Sequence, residues 1–140
     1  QKLALTFQES AILTTSIKVF APLFAVISWI VLFRGHNAPG GGFTGGLLLA
    51  VAFAFAALVM GAKWMRCWLV LSPTTWMCLG LCLAISAAIY PVLQGEVLFQ
   101  AQWSESLAWL GTPLVFDVGV YLLVLGMGTS LFLSFFRRDV

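Results

Sequence analysis

The chain has 140 residues, of which 61% are hydrophobic and 9% are charged, with a formal net charge of +2. A soluble domain carries about 25% charged residues, so these few ionic side chains cannot cover a water-exposed surface. The composition excludes a disordered chain, a nucleic-acid-binding protein with a basic face and almost any water-soluble enzyme, and it indicates an integral membrane protein.

The hydropathy pattern predicts four membrane-spanning helices, because a spanning helix needs about 20 mostly apolar residues. The predicted spans cover residues 10–33, 43–62, 67–91 and 113–136. They nearly fill the chain, so we expect an all-α membrane protein, one four-helix membrane domain without a soluble domain. No signal peptide is predicted, since the first apolar stretch is too long, and native residues are expected before Gln1.

The first span contains a lysine, Lys18, about 12 Å from its start. Thr14 and Thr15 lie one turn earlier, and Pro22 lacks the N–H that would bond the Lys18 carbonyl oxygen. Because a charge within the membrane is costly, Lys18 is a candidate for an ion or proton pathway or for a contact with another protein of a complex. In the alternative interpretation, its long side chain reaches the cytoplasmic headgroups.

The loop after the first span is rich in glycine, with six glycines and one proline in the thirteen residues RGHNAPGGGFTGG. The motif residues of interest are Arg34, Gly35, His36, Asn37, Pro39, Gly40, Gly41, Gly42, Gly45 and Gly46. The small residues Gly42, Gly46, Ala50 and Ala54 follow at every fourth position, which permits close helix packing in lipid. This stripe packs either within the four-helix unit or against a different protein of a complex.

The third and fourth spans carry few reactive groups. Cys67, Cys78 and Cys82 lack metal-ligand spacing and are interpreted as buried packing residues, and the lone His36 has no second ligand nearby. We therefore expect no metal, no cofactor and no catalytic residue. In the fourth span, Asp117 is a favourable charge near a helix N-terminus, a contact with a neighbouring subunit or a group near the ion entrance. Tyr121 lies one turn away as a hydrogen-bond partner for it.

The distribution of basic residues predicts the orientation in the membrane. Four spans place both termini and the loop between spans two and three on one side, where five of the basic residues lie: Lys2, Lys63, Arg66, Arg137 and Arg138. The other side has Arg34 as its fixed positive charge. Positive residues accumulate on the cytoplasmic side, so we expect a multi-pass protein of the plasma membrane with cytoplasmic termini.

The motif RGHNAPGGGFTGGL after a first span resembles the signature of the MnhB (MrpB) subunits of the Mrp multisubunit Na+/H+ antiporters. The segment PLVFDVGVYLLVLG, at residues 113–126, is similar to the same family's pattern in the fourth span. The resemblance covers the whole chain and implies an accessory component of a transporter, not an enzyme. It also implies lipid surroundings, Na+ and H+ as the transported ions, and partner subunits, namely two large complex I-like subunits and several small ones.

Two other functions are considered beside the antiporter component. The equivalent membrane module of a membrane-bound hydrogenase, or of a related redox-driven ion pump, has homologous segments. A self-contained four-helix exporter that dimerises is less favoured, because such exporters use a glutamate in the first span whereas this one has Lys18 and no acidic residue between positions 10 and 33.

Overall fold

The computed structural model describes residues 11–34, 41–97 and 111–138. These residues form five helices: α1 (Ala11–Arg34), α2 (Gly42–Met60), α3 (Ala62–Leu69), α4 (Pro73–Leu93) and α5 (Thr112–Arg138). Four helical stretches are long and apolar enough to cross a membrane, at residues 11–34, 42–60, 62–93 and 112–135. The predicted all-α membrane fold with four spans is therefore confirmed.

The third predicted span differs from the structure, which contains a break inside it. The short helix α3 ends at Leu69, Val70 has a φ of 64°, and the long helix α4 begins only at Pro73. Ser72 is the N-cap of α4, and its Oγ accepts a hydrogen bond from the backbone N–H of Thr75 at 3.3 Å. A serine cap followed by proline at the first helical position is a strong start signal, and the hydropathy pattern alone does not show it.

The second predicted span also ends earlier than expected. Helix α2 stops at Met60, and Gly61 has a φ of 96°, a left-handed value that favours glycine. The backbone N–H of Gly61 donates to the carbonyl oxygen of Ala57 at 2.8 Å. This glycine therefore ends α2, and α3 begins at the next residue, Ala62.

The long helices pack in the order α1, α2, α5, α4, so that α5 lies between α2 and α4. Helix α1 contacts mainly α2 and reaches α5 only slightly. Small residues allow the close approach of α4 and α5, since a Cβ on Gly119 would lie 2.7 Å from both the backbone N of Ala84 and the carbonyl oxygen of Gly80. Such backbone-to-backbone packing is how helices associate in lipid, where burial of apolar surface gives no driving force.

The short helix α3 packs one face on the ends of α2 and α5. Its buried residues Met65 and Leu69 form a cluster with Ala57 and Leu133. The Trp76 side chain of α4 holds this arrangement, because its Nε1–H donates to the carbonyl oxygen of Leu69 at 3.0 Å. Helix α3 is thus fixed to the bundle on one side and presents polar residues on the other.

The three cysteines are exposed on the surface of the chain, so the prediction that they are buried is wrong. Cys78 and Cys82 lie on α4, which buries its small residues Gly80, Ala84 and Ala87. Because α4 is the last helix of the row and packs on α5, its opposite face, which includes Cys78 and Cys82, is exposed.

Candidate functional site

A buried hydrogen bond joins α1 to α5 in the interior of the bundle. The Ser28 Oγ and the Tyr121 hydroxyl oxygen are 2.9 Å apart, and Ser28 also donates to the carbonyl oxygen of Ala25 at 2.7 Å. A serine hydroxyl has one hydrogen, so Tyr121 is the donor in the bond to Ser28. Ser28 is 0% exposed and Tyr121 is 5% exposed, so these two hydroxyl groups are out of contact with lipid.

The glycines at the start of α2 make room for this junction. A Cβ on Gly45 would lie 2.8 Å from the Ser28 carbonyl oxygen and 3.2 Å from the Tyr121 ring. A Cβ on Gly46 would lie 2.7 Å from the Tyr121 carbonyl oxygen and 3.1 Å from the Val124 Cβ. The structure thus places α5 of the same chain against the glycine stripe, which is the first of the two arrangements considered for it.

Asp117 lies one turn before Tyr121, at the end of α5 that meets the start of α2. Its backbone carbonyl closely approaches Gly42, where a Cβ would collide with it, and its side chain is half-buried. The Tyr121 hydroxyl, which the sequence suggested as a partner for Asp117, instead donates to Ser28 in α1. Ser28 was not singled out from the sequence, because its partner is 93 residues away and no local pattern connects the two.

Lys18 lies away from this junction, on the exposed side of α1. Lys18 is ten residues before Ser28 in α1, and Asp117 is four residues before Tyr121 in α5, which runs in the opposite direction. The two charged residues therefore lie on opposite sides of the bond between Ser28 and Tyr121. At about 1.5 Å per residue the two charged groups are on the order of 20 Å apart along the helix axes. The sequence-predicted candidates therefore form two separate groups and not one site.

Lys18 opens onto a groove between α1, α2 and α3, which we name the Lys18 groove. The groove has a volume of about 560 Å³, and Lys18 is its one charged lining residue; the others are Ile17, Ala21, Pro22, Ala25, Leu49, Ala52, Phe53, Met60, Trp64 and Trp68. The two tryptophan rings contact each other in a tilted arrangement, with their centroids 5.7 Å apart. This lining is apolar and offers no chain of polar groups through which an ion could move.

The Thr15 hydroxyl, near Lys18, bonds within α1. The Thr15 Oγ1 donates to the carbonyl oxygen of Ala11 at 2.8 Å, one turn earlier in the same helix, while Thr14 is half-buried. Pro22 lies inside α1 without bonding the Lys18 carbonyl, as the sequence predicts. These contacts are local to the helix, so they do not by themselves form an ion-binding site.

Part of the glycine-rich motif is described by the structure and part is not. Gly41 has a φ of 116°, and its N–H donates to the carbonyl oxygen of Val31 at 3.1 Å, which ties the start of α2 to α1. Arg34 is exposed at the end of α1. The remaining motif residues lie outside the described residues, namely Gly35, His36, Asn37, Pro39 and Gly40.

Comparisons with known proteins place the chain among antiporter components. A family model described as "Domain related to MnhB subunit of Na+/H+ antiporter" matches residues 12–130. The chain is similar to the Na(+)/H(+) antiporter B subunit of Alkalihalophilus pseudofirmus, with 30% identity over 139 residues that cover 94% of this chain and 96% of that protein. It is also similar to the Na(+)/H(+) antiporter B subunit of Bacillus subtilis, with 31% identity over 122 residues that cover 83% and 85%.

A further relative is a much longer protein. The chain is 26% identical over 125 residues to the probable K(+)/H(+) antiporter A/B subunit of Rhizobium meliloti. The match covers 85% of this chain but only 12% of that protein. The same four-helix unit therefore has counterparts both as a separate chain and as a small part of a large one.

Proposed function

Because the chain belongs to the family of domains related to the MnhB subunit of Na+/H+ antiporters, we propose that it is an accessory membrane subunit of a multisubunit monovalent cation/proton antiporter. It is a component of a transporter and not an enzyme. Relatives named for Na+/H+ exchange match over nearly their whole length, and a longer relative is named for K+/H+ exchange. The transported cation is therefore Na+ in our proposal, with K+ as the competitor in the test.

The proposed partners are two large complex I-like subunits and several small ones, in a plasma membrane. The support from this chain is the position of α1, the outermost helix of the row on its side. Most of its apolar side chains are exposed, including Leu23, Trp29 and Ile30. In a large membrane complex such a surface is available to neighbouring subunits or to lipid, and the hydrogenase alternative has no support among the named relatives.

The exposure of Lys18 is the observation that supports the role that we propose for this residue. An ion pathway needs polar groups or water along its length, whereas the groove beside Lys18 is lined by apolar side chains. Lys18 therefore acts at a contact with the surroundings of the chain, and it supports assembly without carrying the ion. Asp117, at the opposite end of the bundle, remains the candidate for a contact with a neighbouring subunit or for a place near the outer ion entrance, while the Tyr121 hydroxyl bonds Ser28 in the interior.

The proposed orientation has both termini in the cytoplasm. Its support is the exposure of Lys63 and Arg66 on α3, on the side of the chain opposite to Arg34. Basic residues on short loops remain on the cytoplasmic side of a bacterial membrane. This places α3 and the mouth of the Lys18 groove at the inner surface.

The test is cation-dependent proton movement in inverted membrane vesicles that carry the whole complex. Wild type is compared with a complex that lacks this chain, with Lys18→Ala and with Lys63→Ala as a matched loss of one surface lysine. Native gels of the same membranes measure assembly, and Na+ and K+ are added separately.

We expect exchange to be lost when the chain is omitted, and Lys18→Ala to lower the amount of assembled complex and the exchange in parallel. Lys63→Ala should leave both unchanged. Full exchange without the chain would refute the antiporter role. Loss of exchange in a fully assembled Lys18→Ala complex would instead put Lys18 on the ion pathway and refute its role in assembly.

A further inference from the structure

We propose that the Lys18 groove binds one anionic phospholipid, with the phosphate at the Lys18 ammonium group and an acyl chain along the apolar wall. The site does not depend on the antiporter role, since it follows from the surface of this chain alone. Its volume of about 560 Å³ is within the usual range of about 300–1,000 Å³ for small-ligand sites.

The wall of the groove suits a hydrocarbon chain. Small side chains form part of it, including Ala21, Ala25 and Ala52, and the bulkier Leu49 and Phe53 close its length. A flexible acyl chain can follow such an irregular surface and loses no hydrogen bond by binding there. A water-soluble ligand would find a single charged group there, which is the Lys18 ammonium.

The charge around the groove favours an anion. The described helices α1, α2 and α3 contain four basic residues, namely Lys18, Arg34, Lys63 and Arg66, and no Asp or Glu. Lys18 thus has no acidic partner within these three helices, and a charge held in an apolar groove requires a counter-charge. Basic pockets between helices on the cytoplasmic side recognise anionic lipid headgroups by this principle.

Helix α3 sets the depth of the site. It buries Met65 and Leu69 against the bundle and exposes Lys63 and Arg66, as an amphipathic helix at a membrane surface does. Its Trp64 and Trp68 line the groove, and tryptophan prefers the depth of the headgroups. One end of the groove therefore lies at the headgroup level, where a long lysine side chain meets a lipid phosphate.

This geometry favours a lipid over a helix of another protein in the complex. A helix would need an acidic residue at the one position that meets the Lys18 ammonium group at the headgroup level. An anionic lipid carries its charge at the headgroup level already and its apolar part below. The test below distinguishes a lipid in the Lys18 groove from a helix of another subunit.

The test uses the full chain in phosphatidylcholine nanodiscs and the native fluorescence of its tryptophans. A small fraction of phosphatidylglycerol or of phosphatidylcholine, brominated in the acyl chain, is added as quencher. The measured quantity is the quenching by brominated phosphatidylglycerol in excess of that by brominated phosphatidylcholine. The Trp64→Phe/Trp68→Phe variant shows how much of this excess comes from the two tryptophans of the groove. Lys18→Gln is compared with Lys63→Gln, which removes the same charge from the exposed side of α3.

We expect phosphatidylglycerol to associate about fivefold more strongly than phosphatidylcholine, as one interaction of about 1 kcal/mol implies. Lys18→Gln should remove this preference, whereas Lys63→Gln and Lys18→Arg should retain most of it. Equal losses in the two Gln variants would indicate general surface charge and overturn the proposal, as would a lost preference in Lys18→Arg. In the purified complex, native mass spectrometry should show one retained phosphatidylglycerol fewer for Lys18→Gln; an unchanged lipid count would overturn the proposal in favour of a partner helix in the groove.

Discussion

The hydrogen bond between Ser28 and Tyr121 predicts an asymmetric response to mutation. Ser28→Ala leaves the Tyr121 hydroxyl, which is 5% exposed, without the acceptor at 2.9 Å, and a stranded buried donor costs about 1–3 kcal/mol. Tyr121→Phe costs less, because the Ser28 hydroxyl still donates to the Ala25 carbonyl oxygen at 2.7 Å. We therefore expect Ser28→Ala to lower the free energy of unfolding by about 1 kcal/mol more than Tyr121→Phe does.

The double variant measures the coupling between these two groups. Removing both partners leaves no stranded hydroxyl, so Ser28→Ala/Tyr121→Phe should be less destabilised than the sum of the single variants. Hydrogen bonds between membrane helices have coupling energies that average about 0.6 kcal/mol and reach about 1.7 kcal/mol. The assay is reversible unfolding of the full chain in mixed detergent micelles, followed by circular dichroism.

A matched serine provides the control for this cycle. The Ser86 Oγ donates to the carbonyl oxygen of Cys82 in its own helix, on the exposed side of α4. Ser86→Ala should change stability by less than about 0.5 kcal/mol. Equal effects of Ser28→Ala and Tyr121→Phe, with no coupling between them, would show that the bond does not hold α1 to α5.

Two further predictions concern packing and orientation. Gly46→Ala should destabilise the chain by about 1–3 kcal/mol in the same unfolding assay, since its Cβ would lie 2.7 Å from the Tyr121 carbonyl oxygen. The control variant Thr44→Leu, on the exposed side of α2, should have little effect. Equal stability of the two variants would argue against close α2–α5 packing. Cys67 is exposed on α3, so in a chain with Cys78→Ser and Cys82→Ser a membrane-impermeant maleimide should label it in inverted vesicles but not in intact cells. Labelling in intact cells alone would reverse the proposed orientation.

The sequence predicts the four spans well because each is a long apolar stretch, and length and hydropathy decide membrane insertion without reference to packing. Hydropathy does not predict the break at Val70, since residues 67–71 are as apolar as those after Pro73. The capping pattern of Ser72 and Pro73 was available as a signal, and it outweighs hydropathy because it satisfies the first N–H groups of α4.

The candidate site could be predicted only in part. Lys18 and Asp117 are visible in the sequence because charge within an apolar span is rare. Their surroundings depend on which helices are neighbours, and a packing order of α1, α2, α5, α4 does not follow from four similar apolar stretches. The same reason explains why Ser28 was missed, since its importance comes from a partner on a distant helix.

The packing divides the chain into a closely packed part, around α5, and a part that is exposed to lipid and other subunits, on α1. Helix α5 is held on both sides by close backbone contacts, through Gly46 of α2 and through Gly80 of α4, so substitutions there act on folding. Helix α1 has one buried polar anchor, Ser28, and leaves Lys18 with its apolar neighbours on the outside. Changes at Lys18 should therefore alter lipid binding and assembly while the isolated chain keeps its stability, and an equal loss of stability in Lys18→Ala and Ser28→Ala would contradict this division.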